Sequence, residues 1–170
     1  LPDVEWYMFD RSRIREVPSQ AKYVANKVAQ KIGATKEQPP RESLERMVAY
    51  FRDFDARPFE RKDSDKDLFE AIATQQIGVC RHRSLAFVIT AQSLGIPARY
   101  VYNEAHAFVE VHWPNIGGRR IDLGGAAVEL NAAIDDGRSI HNSGEDALPR
   151  PERYLAGPQR WQHIFPEGTP

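Results

Sequence analysis

The sequence is poor in sulfur: its one cysteine, Cys80, leaves no internal disulfide, no CxxC redox pair and no cysteine-rich zinc site. It has no excess of charge of either sign. Lysine and arginine number 23 against 24 aspartates and glutamates, a balance that builds no broad field for a phosphate polymer or an anionic lipid surface. No nucleic acid and no membrane contact by this segment is expected. No window approaches the roughly 20 apolar residues of a membrane span, and the opening LPDVEWYMFDRSR lacks the apolar centre of a signal peptide. Internal repeats and low-complexity runs are missing as well. The sequence starts at Leu1 without an initiator methionine, as expected of a processed chain or of a piece of a longer one, such as a module of a membrane-anchored protein. Compartment therefore stays open. What is present, 170 residues with 41% apolar character, suffices for a single domain over 1–170 with a core of its own.

Ser19 is expected to cap a helix whose apolar stripe is Ala21, Val24, Ala25, Val28 and Ile32, closed by Gly33. After the Pro39-Pro40 break, Leu44, Met47, Val48, Phe51 and Phe54 repeat that spacing through RESLERMVAYFRDFDA. Asp67 and Glu70 have capping-box spacing before LFEAIA, a short helix expected to end near Gly78. CRHRSLAFVITAQSL, from Cys80 to Leu94, is apolar around most of its circumference and stops at Gly95-Ile96-Pro97, which marks a central buried helix. ARYVYN and HAFVEVHW are rich in β-branched and aromatic residues and read as strands, the second with His106, Phe108, Glu110 and His112 on one side. PNIGG is a turn and RRIDL a further short strand. Helices first and antiparallel strands afterwards define an α+β class, with the core at about 40–130 and an irregular tail or linker over 135–170.

Only a thiolate attacks, and a free cysteine near pKa 8.5 is mostly protonated at neutral pH, so a catalytic cysteine needs a stabilised anion. Cys80 opens the central helix, where unpaired N–H groups and the helix dipole favour negative charge, and Arg81, His82 and Arg83 add positive charge in sequence. The same N–H groups can bind the oxyanion formed on a carbonyl. His106, at the start of a strand after the polar NEA, is the candidate general base. Asp122, in the strand after the turn, is the candidate that holds the imidazole in one tautomer, its alternative being a solvated strand-end carboxylate.

GVCRHRSLAFVITAQSLGIPARYVY, then HAFVEVHWP, then RRIDLGG resembles the core of the transglutaminase-like superfamily of papain-like thiol enzymes. Gly78, Cys80, Gly95, Ile96, Pro97, Ala98, Arg99, His106, Ala107, Val109, Glu110, Val111 and Asp122 fill the family's places over roughly 75–125. Phe108 stands where the family often has tryptophan, and Leu123-Gly124 where it often has aspartate-proline; neither removes a catalytic atom. The resemblance implies a papain-like fold, with the Cys80 helix packed on an antiparallel sheet, and a catalytic set of Cys80, His106 and Asp122. It also implies a further oxyanion donor, for which Gln75 or Gln76 is available.

Blander roles are expected elsewhere. His82 and His112 read as hydrogen-bonded, half-buried histidines, Glu110 as the ion-pair partner of an arginine such as Arg99, and Tyr50, Phe51 and Phe54 as core. No HExxH or EF-hand pattern occurs, so neither metal nor cofactor is expected. The expected activity is acyl transfer from a protein or peptide substrate, at a peptide or glutamine-type amide, through a Cys80 thioester. Water as acceptor makes the enzyme a protease or amidase and an amine makes it a transglutaminase; resemblance to compact bacterial relatives favours hydrolysis. The alternative is a catalytically silent domain of the same fold that binds a peptide or protein in the inherited cleft.

Overall fold

The computed structural model describes residues 1–57, 59–64, 67–102, 106–125 and 147–148. The expected irregular tail, 135–170, lies outside the described residues except for Ala147 and Leu148. Among the described residues four α-helices precede three strands: α1 (Ser19–Ile32), α2 (Pro40–Arg52), α3 (Leu68–Gln75), α4 (Cys80–Leu94), β1 (Ala98–Tyr102), β2 (Ala107–Trp113) and β3 (Gly117–Ile121). The class is α+β, with the sheet ordered β1-β2-β3 and both pairings antiparallel.

Local chemistry accounts for most helix ends. Pro40 sits at the first position of α2, where its missing N–H costs nothing, and the Asp67 carboxylate accepts from the Glu70 N–H to start α3. Two expectations need correction. Ser19 lies inside the first turn of α1 and the cap is Pro18, whose ψ of 143° keeps it outside the helix. α3 ends at Gln75, short of Gly78, since Gln76 turns left-handed and the following residues pair with Asp55 instead.

α4 lies between the other helices and the sheet, and its residues Ala86, Phe87, Ala91 and Leu94 join Val24, Leu44, Met47 and Phe51 in the core. The sheet contributes Ala98, Val109, Val111, Trp113 and Ile121. β2 is the middle strand, and its other face is buried too, with Phe108 at 1% and Glu110 at 6% exposure. The N-terminal stretch, unassigned from sequence, closes the far end of the sheet: the Trp113 indole donates to the Pro2 carbonyl and packs edge-on against Phe9.

Phe51 is fully buried and meets the rings of Tyr50, Phe54 and Phe87. Phe51→Ala is expected to cost about 3–5 kcal/mol of stability, read by urea unfolding. A loss within the range of a surface substitution would contradict this placement of the core.

Candidate active site

Cys80 is the first residue of α4, and the approach to it is shaped by Gly78. A Cβ at Gly78 would lie 2.6 Å from the Cβ of His82, so only glycine lets the loop lie this close to the first turn. The thiol is 6% exposed. Burial is the strongest influence on it and pushes its pKa up. A hydrogen bond with His106, the N–H of Ala107, the charge of His106 and the N–H of Arg81 together outweigh burial and leave the thiol below its ordinary value.

His106 stands directly before β2, with its Nε2 2.9 Å from Asp122 Oδ1. Burial again acts first and disfavours the charged ring, but the hydrogen bonds and charges of Asp122 and Cys80 raise the imidazole to about 9. Nε2 is the ring nitrogen that meets Asp122. Asp122 lies one residue past the end of β3 rather than inside that strand, because the ladder with β2 ends at Val109 opposite Ile121. Its Oδ1 also accepts from the Gly124 N–H at 2.8 Å, and Arg120 reaches Oδ2 at 3.4 Å while lying over the Phe108 ring. These contacts favour a charged carboxylate in a fixed orientation. Between the lowered thiol value and about pH 9 the group therefore favours thiolate and imidazolium over the neutral pair.

Cys80, His106 and Asp122 thus come together, but the surrounding expectations change in three places. First, the CRHR run does not bathe the thiol in positive charge. Arg81 acts through its backbone N–H, His82 is pushed toward neutrality by burial and by Arg81, and the Arg83 side chain is buried against backbone carbonyls. The cation that lowers Cys80 is His106. Second, the Cys80 N–H is already used: it donates to the Gly125 carbonyl at 2.6 Å, and the N–H groups acting on the thiol belong to Arg81 and Ala107. Third, the Gln76 side-chain amide uses one of its two N–H groups on the Tyr50 carbonyl at 3.2 Å, near the end of α2. Glu110 does pair with Arg99. Among the described residues, no group of three or more His, Cys, Asp or Glu is placed to hold a metal ion.

Several neighbours of the site carried no functional reading in the sequence. Tyr100 on β1 lies within electrostatic reach of Cys80 and Arg81; burial raises its hydroxyl, followed by the charges of Cys80 and Tyr102. Its ring is nearly parallel to that of Tyr102. Alternation along β1 places both rings on one face, a signal present in the sequence. Arg120 and Gly125 had none.

A helix that begins on a cysteine, packed on an antiparallel sheet whose strand ends carry a histidine and an aspartate, is the layout of the papain-like α+β thiol-enzyme fold. A model of the transglutaminase-like superfamily matches residues 20–122, and the chain belongs to that superfamily. Its members are usually enzymes. Among solved structures, the chain is similar to the periplasmic domain of TgpA from Pseudomonas aeruginosa bound to ethylmercury, at 19% identity and a TM-score of 0.49 over 66% of this chain and 48% of that one. It is also similar to the periplasmic domain of TgpA from Pseudomonas aeruginosa in a second crystal structure, at 18% identity and a TM-score of 0.47 over 71% and 48%. The chain spans about half the length of those structures. No curated protein sequence matches it.

The Asp122 carboxylate is one of the groups that keep His106 protonated up to about pH 9. In Asp122→Asn that support is lost, so the His106 titration followed by NMR is expected to move down toward the ordinary histidine value of about 6.5. An unchanged titration would show that Asp122 does not act on the ring.

Proposed function

We propose that the protein is a cysteine-dependent acyl-transfer enzyme acting on peptide or glutamine-type amides, with Cys80 as nucleophile, His106 as proton carrier and Asp122 as the group that orients it. The observation that carries this reading is the buried thiol lowered by a histidine that is itself raised to about 9 and bonded to a carboxylate. A thiolate at Cys80 attacks the amide carbonyl, and the oxyanion forms near the N–H groups of Arg81 and Ala107. Protonated His106 gives its Nδ1 proton to the departing amine as the C–N bond breaks and a thioester forms. The neutral ring then takes a proton from water or an acceptor amine as that molecule attacks, and the product, a carboxylic acid from water or a new amide from the amine, leaves the regenerated thiolate. Above about pH 9 His106 loses the proton the leaving amine needs, so turnover is expected to fall on that side.

An extended peptide fits the surroundings better than a small amide. On α4 the spacing of Arg81, Leu85, Val88, Ile89 and Gln92 puts them on one stripe beside Cys80, and Leu85 is 52% exposed. Val88, Ile89, Gln92 and Tyr100 line a cleft of about 1070 Å³ between α1, α4 and the β1-β2 strands. That stripe runs along α4 from the end that carries Cys80 to the residues that line the cleft.

Casein, offered with a fluorescent primary amine, tests the reading in both acceptor modes. The expected result is new peptide termini or amine-labelled casein, together with an acid-trapped acyl adduct on Cys80, all absent in Cys80→Ala. Neither product nor adduct would sink the enzymatic reading and leave a binding domain. Tyr100→Ala is expected to raise KM roughly five-fold, about 1 kcal/mol of lost ring contact, with kcat held within about two-fold. A drop confined to kcat would place Tyr100 outside the substrate groove.

A further inference from the structure

Arg83 is the residue that the acyl-transfer reading leaves unused, and it is 1% exposed. Its guanidinium donates to four backbone carbonyls from three separate stretches of chain. Nε and Nη2 reach Gly78 O at 3.2 and 3.0 Å, Nη2 reaches Phe54 O at 2.9 Å, and Nη1 reaches Leu123 O at 2.9 Å and Arg52 O at 3.3 Å. Burying a guanidinium is costly unless its N–H groups are engaged, and charge-assisted bonds to carbonyls in a dry interior hold those carbonyls tightly. The position of these carbonyls matters more than their number. Gly78 is two residues before Cys80, and Leu123 directly follows Asp122.

A second buried arginine joins from the other side. Arg52, the last residue of α2, is 4% exposed and donates its Nε to the Asp122 carbonyl at 2.9 Å. Gly125 completes the link, accepting the Cys80 N–H while lying flat against the Arg83 guanidinium. A Cβ on Gly125 would lie 2.6 to 2.7 Å from Nε, Cζ and Nη2 of Arg83, and its φ of +73° favours glycine on its own account.

We infer that Arg83 is a positioning residue: a buried backbone clamp that fixes the loop before Cys80 and the segment after Asp122 relative to each other. The inference rests on the acyl-transfer reading and adds to it how the Cys80–His106–Asp122 spacing is held. Asp122 sets the His106 ring, so a shift of the 122–125 segment weakens the His106 contact that lowers the thiol. The clamp works through geometry, because Arg83 is not among the groups whose charge or hydrogen bond lowers Cys80. A lysine keeps the charge and lacks the planar fork that spans several carbonyls.

The test is the pH profile of Cys80 alkylation by iodoacetamide, read by mass spectrometry, in wild type, Arg83→Met, Arg83→Lys, Gly125→Ala and a core control, Phe51→Leu. Circular dichroism and cooperative melting establish folding. The wild type is expected to alkylate below the ordinary thiol range, and both Arg83 variants to react about ten-fold more slowly on that low-pH limb, as for a thiol raised by about one pKa unit. Gly125→Ala, which presses on the same guanidinium, is expected to shift in the same direction, and Phe51→Leu to keep the wild-type profile at comparable loss of melting temperature. Arg83 or Gly125 variants with the wild-type profile overturn the clamp, as does a Phe51→Leu control that shifts equally. If the Arg83 variants do not fold, Gly125→Ala decides alone. A wild type without the low-pH limb overturns the acyl-transfer reading itself, and the clamp's catalytic purpose with it.

Discussion

The structure around Cys80 turns on the cost of ionising a buried thiol. Desolvation is the strongest single influence on it, and by itself would hold the sulfur protonated and inert. What offsets that cost is a second buried group that is also reluctant to carry charge. The His106 ring is disfavoured as a cation by its own burial and becomes one because a carboxylate sits at one nitrogen and a thiol acts on the ring besides. The thiolate draws on that imidazolium, and Asp122 is the foremost of the groups that hold the ring charged.

Such a balance depends on distance, and the chain spends much of its architecture on distance. The three groups lie on the first turn of α4, on the residue before β2 and on the residue after β3. The antiparallel register of β2 with β3 brings His106 beside Asp122, and the packing of α4 against β1 and β2 sets the thiol opposite. Ser84 adds a bond from α4 to the Ala107 carbonyl. Two arginines then tie the segments beside Cys80 and Asp122, so that loops, usually the most mobile parts of a fold, are held from the interior. The transglutaminase-like fold supplies the frame, and the buried guanidinium groups are how this chain steadies its ends.

Much of this was legible in the residues. α4 runs from Cys80 to Leu94 as read, because a glycine stands at each approach and the apolar run between them has no break. The strands showed in their β-branched and aromatic content, and Asp67 announced α3 through a side chain that caps the turn beside it. What stayed hidden was set by contacts distant in sequence. Trp113 meets Pro2 and Phe9 across the molecule, and nothing local marks the N-terminal stretch as a cover for the sheet. Asp122 was expected within a strand and sits just beyond it, since the end of a ladder depends on its partner. Arg83 was grouped with Arg81 as charge near the thiol, although helical spacing separates them: Arg83 falls on the stripe of Cys80 and Phe87, which is buried, and Arg81 on that of Leu85, which is exposed. That spacing was present in the sequence and pointed to a buried guanidinium.

The most direct measurement of the central claim is the ultraviolet absorbance of the thiolate as a function of pH, in the wild type and in His106→Gln. With a single cysteine in the chain, any thiolate contribution belongs to Cys80, and Cys80→Ala supplies the tyrosine background to subtract. The expected result is a thiolate in the wild type that persists below the ordinary thiol range, and in His106→Gln a single transition raised to or above that range, because burial then acts unopposed by the imidazolium. A wild-type thiolate that forms only in the ordinary range, at the same pH as in the variant, would contradict the ion pair and with it the chemistry assigned to this site.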